Sequence, residues 1–261
     1  MMIFDTHAHY DDEQFNLDRE ELLSSMEAGG VGTIMNVSAS FDSCENVLGL
    51  ARQYPFVYAA IGVHPDHVGC LDEEKIQKMQ ELLKDEKALA VGEIGLDYYW
   101  KEEPEEIQQK WFIRQLQLAK DMDLPVIIHS RDAAADTLRI MKEHGRDIGG
   151  VIHCFSYSRE IALEYVKMGY YIGIGGVVTF KNGRKLKEVA EAVPLSSIVL
   201  ETDCPYLAPV PNRGKRNHSL NLTYVAEEIA RIKGISASDV IEETEKNARN
   251  LYRLQGVRGE K

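Results

Sequence analysis

A chain of 261 residues with 44% apolar and 28% charged side chains is long enough to bury a core without disulfide support and too apolar to be disordered. Its formal net charge of −12 opposes non-specific binding along nucleic acid, yet bound divalent cations and a local basic loop can reverse the field inside one site, so a nucleic-acid substrate stays open. No apolar run is long enough to cross a bilayer, and Met1-Met2-Ile3-Phe4-Asp5 carries no basic segment followed by an apolar one, so neither a membrane span nor a signal peptide is expected.

Taken in chain order, short β-rich apolar runs fall at 2–5, 33–37, 57–61, 88–92, 126–129, 150–153, 170–174 and 198–201, each followed by a segment of helical length. Near-continuous apolar strands separated by amphipathic helices predict a parallel sheet covered by helices. Among the helices, Pro104-Glu105-Glu106 supplies a first turn before Ile107, Trp111, Leu118 and Met122 recur at helical spacing. Leu222, Val225, Ile229 and Ile232 repeat that pattern, and Ser236 with Asp239 forms an N-terminal cap for the last helix. Eight such units, with no linker and no repeat, predict an α/β fold, a (β/α)8 TIM barrel forming a single domain over 1–261. The rival doubly wound sheet wants a glycine-rich first turn, where this chain has His7-Ala8-His9-Tyr10. The run Gly173-Ile174-Gly175-Gly176 lacks the third glycine of a dinucleotide fingerprint and reads as close backbone packing. Cys44, Cys70, Cys154 and Cys204 form no C-x-x-C pair, so reduced thiols in a cytoplasmic protein are expected.

Five of the eight histidines stand at the C-terminal ends of predicted strands: His7 and His9 after the first, His64 after the third, His129 and His153 closing the fifth and sixth. Glu93 joins them from the fourth strand and Glu201 and Asp203 from the eighth. In a barrel all these ends converge on one face, where active sites lie. His7 and His9 are two apart on extended backbone, so both rings point the same way, and Glu201 and Asp203 share that spacing. Imidazoles with carboxylates suit zinc, manganese, iron or cobalt better than magnesium alone.

These residues sit in stretches that resemble the TatD-type metal-dependent deoxyribonucleases of the amidohydrolase-like barrels. The stretches are Phe4-Asp5-Thr6-His7-Ala8-His9, Gly62-Val63-His64-Pro65, Gly92-Glu93-Ile94-Gly95-Leu96-Asp97-Tyr98 and Pro125-Val126-Ile127-Ile128-His129-Ser130-Arg131. They continue with His153-Cys154-Phe155-Ser156, Tyr171-Ile172-Gly173-Ile174-Gly175-Gly176, Glu201-Thr202-Asp203-Cys204-Pro205-Tyr206-Leu207 and Arg213-Gly214-Lys215-Arg216-Asn217. The resemblance implies two divalent metal ions (Zn, Mn or Mg), with His7, His9 and Asp203 on one, His129 and His153 on the other, and Glu93 between them. It also implies a DNA substrate, cut from the 3′ end, with no organic cofactor.

The residues suit that chemistry on their own terms. A phosphodiester is anionic with a poor leaving group, and a metal lowers the pKa of bound water to about 7 so that hydroxide forms at neutral pH. Asp203 is expected to accept the proton of the attacking water and return it to the leaving alkoxide. His64 is expected to contact a phosphate oxygen or the leaving group, and Glu201 to orient a ligand. Arg213, Lys215 and Arg216 are expected to hold phosphate, and Tyr98, Tyr99 and Trp100 either to stack on a base or to pack within their loop. Where the family commonly continues Arg-Asn with Glu-Pro, this chain has His218-Ser219, which bears on substrate preference more than on hydrolysis. The alternative is an amidohydrolase acting on a cyclic amide, lactone or small phosphoester, since one barrel hosts many reactions. Such enzymes often bridge their metals with a modified lysine, and Glu93 in that place favours the deoxyribonuclease-like reading. A non-catalytic metal-binding protein is the third reading, and it would be expected to lack a ligand or Asp203.

Overall fold

The computed structural model describes residues 2–254. Eight parallel strands, β1 (Ile3–Ala8), β2 (Val31–Val37), β3 (Val57–Ala60), β4 (Ala88–Asp97), β5 (Val126–Arg131), β6 (Gly150–Ile152), β7 (Tyr170–Ile174) and β8 (Ile198–Leu200), pair in sequence order. Helices α1 (Arg19–Ser24), α2 (Ser43–Gln53), α3 (Glu73–Leu82), α4 (Glu105–Met122), α5 (Ala134–His144), α6 (Arg159–Lys167) and α7 (Arg184–Ala192) lie between successive strands. Two more, α8 (Leu222–Lys233) and α9 (Ala237–Leu251), follow the last strand. This is a (β/α)8 barrel, and among the described residues no helix is long and apolar enough to cross a membrane.

Side-chain alternation divides the core. Phe4, Met35, Ala60, Ala90, Ile127 and Val199 join one buried cluster that is stoppered by Leu251 and Tyr252, whose ring lies 5.6 Å from that of Phe4. The alternate strand residues pack with the helices in a second, larger cluster. Helix α4 begins after Pro104 and buries Trp111 and Leu118, as its spacing predicts, and α9 opens with the Ser236–Asp239 capping box.

Two strands run further than their apolar runs suggest. β1 continues to Ala8 and β4 to Asp97, and both contain register shifts, between Asp5 and Ala8 and between Val91 and Ile94. Val91 and Ile94, which strict alternation would send to opposite faces, both join the cluster packed with the helices. Such irregularities re-aim side chains, and His7, with Thr6, and Glu93, with Gly92, lie inside them.

The barrel closes between β1 and β8 largely through side chains and loop backbone. Ala8 and Cys204 form an isolated parallel bridge, Asp203 N donates to His7 O and His9 N to Cys204 O, each at 2.9 Å. Asp5 is fully buried at this seam: its carboxylate accepts from Thr202 N at 3.0 Å, Thr202 Oγ1 at 2.7 Å and Ser219 Oγ at 2.6 Å. Burial pushes its carboxyl up to about 7 in spite of those bonds. The seam thereby fixes Asp203 beside the two histidines of β1. It also gives Ser219, half of the departure from Glu-Pro, a place behind the site.

Candidate metal centre

Glu93 stands at the centre of the barrel mouth, and its two oxygens face different imidazoles. Oε2 lies 3.4 Å from His7 Nε2 and 3.9 Å from His9 Nε2. Oε1 lies 2.8 Å from His129 Nδ1, 3.2 Å from His153 Nε2 and 3.9 Å from His64 Nε2. Asp203 Oδ1 completes the β1 side at 3.5 Å from His9 Nε2 and 3.8 Å from His7 Nε2. Asp203 and the neighbouring Cys154 hold left-handed backbone, φ 56° and 45°, a costly conformation for such residues that tends to gather where side chains must be aimed.

Partners behind the rings set which nitrogen faces inward. His9 Nδ1 donates to Val37 O at 2.8 Å, leaving Nε2 for the cavity. His129 Nε2 lies 3.0 Å from Asp97 Oδ2, so Nδ1 meets Glu93. His153 Nδ1 approaches Glu201 Oε2 at 3.4 Å without hydrogen-bond alignment, while Glu201 Oε1 accepts from Cys154 N. His64 Nδ1 accepts from Asp66 N at 3.2 Å, so the neutral ring carries its hydrogen on Nε2.

The electrostatics follow from burying carboxylates among imidazoles. Burial opposes ionisation of Glu93, but His153, His7 and the bond from His129 outweigh it and hold its carboxyl well below the usual range. Burial would likewise lower His9 and His129, yet Asp203 beside the first and Asp97 and Glu93 beside the second raise each to about 9. His64 lies the other way: burial, then the charge of His129, presses it down to about 3.

This donor chemistry fits divalent cations. His7, His9 and Glu93 offer ligand atoms within 4.8 Å of one another, as do His7, His153 and Asp203, and His64, Glu93 and His129. The Nε2 atoms of His7 and His9, 3.1 Å apart on rings inclined at 74°, need either a shared proton or a cation between such lone pairs and the neighbouring carboxylates.

The cleft above these groups has a volume of about 640 Å³ and is walled by Trp100, Arg131, Tyr206 and Leu207 besides the histidines. All six residues expected as metal ligands converge here, with His64 on the rim and Glu201 behind His153. Arg213 and Arg216, expected to hold phosphate, are not among the residues that line this cleft. The Arg213 guanidinium lies 4.4 Å over the Phe180 ring, and Arg216 is paired with Asp18, bonded to Gln14 O and laid 4.7 Å over Phe15. Sequence reasoning assigned no role to Asp97 and Arg131, although a period of two puts Asp97 on the face of Glu93 and Arg131 on the face of His129.

The match to known proteins agrees with this geometry. Residues 4–253 match the family model described as TatD related DNase. The chain belongs to the TatD family. An uncharacterized metal-dependent hydrolase of Bacillus subtilis (strain 168), YabD, is 43% identical over 254 residues, covering 97% of this chain and 100% of the relative. An uncharacterized metal-dependent hydrolase of Escherichia coli (strain K12), YcfH, is 36% identical over 267 residues, with 99% and 100% covered. Among solved structures, the TatD homolog YjjV of Escherichia coli K12 superposes with a TM-score of 0.90 at 33% identity, covering 97% of this chain and 98% of that one. The chain is thus a TatD-family metal-dependent hydrolase.

Proposed function

We propose that this TatD-family hydrolase is a DNA phosphodiesterase that removes nucleotides from strand ends, the 3′ end first, using two divalent ions. The carrying observation is Glu93, whose Oε2 faces the His7–His9 pair while Oε1 faces His129 and His153. Two cations would be held by His7, His9 and Asp203 on one side and by His129 and His153 on the other, with Glu93 available to both. When bound, zinc, manganese or magnesium would supply Lewis acidity toward the phosphate and make water acidic enough to attack at neutral pH.

The protein's own groups carry the rest. Asp203, kept ionised because His9, His153 and His7 outweigh its burial, accepts the proton of the attacking water and hands it to the departing oxygen. His64 stays neutral with its hydrogen on Nε2, which suits it to donate to a phosphate oxygen. Glu201 and Asp97 orient His153 and His129. Arg131, on the cleft wall, is placed to hold phosphate beside the centre, with Arg213 and Arg216 further from it in the loop after β8. Four unpaired cysteines suit a reducing, cytoplasmic setting.

The test is digestion of end-labelled single- and double-stranded DNA by metal-stripped protein reloaded with Mg, Mn or Zn. Stepwise shortening with at least one metal is expected. No cleavage with any of them, together with turnover of a cyclic amide or lactone, would overturn the reading.

A further inference from the structure

Beside the cleft lies a second cavity of about 300 Å³ under the loop that follows β7. The two spaces share Cys154, Ser156, Val177, Asp203 and Leu207 in their linings, so they adjoin, and Asp203 faces both. Whatever enters this side cavity is therefore attached next to the reacting centre.

Resting on the phosphodiesterase reading, we propose that this cavity is a one-nucleoside pocket, which receives the terminal nucleoside and limits the enzyme to strand ends. Phe155, Leu186, Val177 and Leu207 supply apolar walls for a base and sugar, while Ser156 and Asn182 offer polar groups at the edge. Glycines shape the space between them. A Cβ on Gly176 would run into Leu207 O and one on Gly183 into Val177 O, so the loop packs its backbone against itself and against the segment after β8. Lys185, exposed at the border of the pocket in a chain whose net charge is −12, supplies a local attraction for a strand's phosphates, while the neighbouring Arg184 is paired with Glu188 at 2.8 Å.

Size and shape argue for a single unit. A volume of about 300 Å³ lies at the low end of ligand pockets, enough for one nucleoside and too little for two stacked nucleotides. The opposite side of the cleft is open instead. Tyr99 and Trp100 are 53% and 56% exposed there, with the Arg131 guanidinium 4.0 Å over the Tyr99 ring. Such a platform accepts successive bases without reading them. The strand then lies across Trp100 with its last residue in the pocket and the scissile phosphate between, at Glu93 and Asp203. An internal nucleotide, continued on both sides, needs more room than a cavity of about 300 Å³ leaves beside one nucleoside.

Two measurements test this. In metal-stripped protein, DNA carrying the fluorescent base 2-aminopurine at the end that is digested should change emission on binding, while the same base placed internally should not. With metal restored, linear single-stranded DNA should yield mononucleotides and covalently closed circular single strands should resist. Val177→Phe fills the pocket and should abolish the terminal-probe response while leaving metal affinity unchanged, with kcat/KM on linear DNA falling about tenfold or more. Should that variant not fold, Lys185→Glu, at an exposed position, should weaken capture of the end in the same assay. A terminal-probe response equal in Val177→Phe and wild type, with linear DNA still shortened from its ends, overturns the pocket alone, and circular DNA cut as fast as linear overturns the end-acting reading with it. No hydrolysis of either DNA overturns both.

Discussion

Asp97 Oδ2 and His129 Nε2 are joined at 3.0 Å, and that bond decides which nitrogen of His129 is presented to Glu93. The same carboxylate accepts Tyr99 N at 2.9 Å and Trp100 N at 3.0 Å through Oδ1, so one side chain ties the ring's orientation to the aromatic rim. Asp97→Asn keeps an oxygen for the two backbone bonds but replaces the acceptor facing His129. Metal affinity should fall about 10- to 100-fold, measured by competition with a chromophoric chelator. Unchanged affinity would reduce Asp97 to a loop residue.

Asp203→Asn should leave the melting temperature and most of the bound metal intact while kcat drops about 10²- to 10⁴-fold, the usual worth of a positioned proton acceptor. The check is kcat on single-stranded DNA beside metal analysis of the same sample. Near-normal turnover would remove Asp203 from the chemistry.

Metal affinity should rise with pH up to about 9. Asp203 beside His9 and Asp97 and Glu93 beside His129 keep both rings protonated to about 9, against burial, when no cation is bound. A cation takes only the neutral ring, so each ligand proton shed makes binding about tenfold tighter per pH unit, and the gain stops above that pH. Stability of metal-stripped protein should run the opposite way. The His129 pKa is raised above its ordinary 6.5, so its contribution is complete below 6.5 and is lost as pH climbs toward about 9. Chelator competition and thermal melts across pH 6–9.5 read the two trends, and parallel trends would contradict this assignment of protons.

Of the four thiols, Cys70 alone is exposed, while burial pushes Cys44 up to about 11 and Cys154 up to about 12. One thiol per chain should react quickly with a disulfide reagent near neutral pH, and all four after denaturation. Rapid modification of Cys44 or Cys204, the two buried thiols, would mean that α2 or the segment after β8 opens readily.

The repeating units were legible because eight apolar runs separated by amphipathic segments leave few alternatives, and every run lies on a strand of the barrel. The convergence of His7, His9, Glu93, His129, His153 and Asp203 was legible for the same reason, since strand ends share one face. Strand limits were less so. The register shifts around His7 and Glu93 break the alternation from which limits are read, and those two residues owe their placement to the shifts. The partners of the basic cluster were not legible because a sequence does not say which carboxylate a guanidinium will meet: Arg216 meets Asp18, 198 positions away. Asp97 went unassigned beside Glu93 although the two share a strand face, their spacing masked by three apolar or glycine residues between them.

The ring of strands is fastened where its two ends meet, and the fastening runs through the ligands themselves: His7 O accepts Asp203 N, while Asp5 grips Thr202. Loading the centre with cations therefore works like closing a buckle on a belt. Amides of residues 7–9 and 203–204 should exchange with deuterium more slowly once metal is added, more so than amides elsewhere in the sheet, and chelators should loosen the first and last strands before any others.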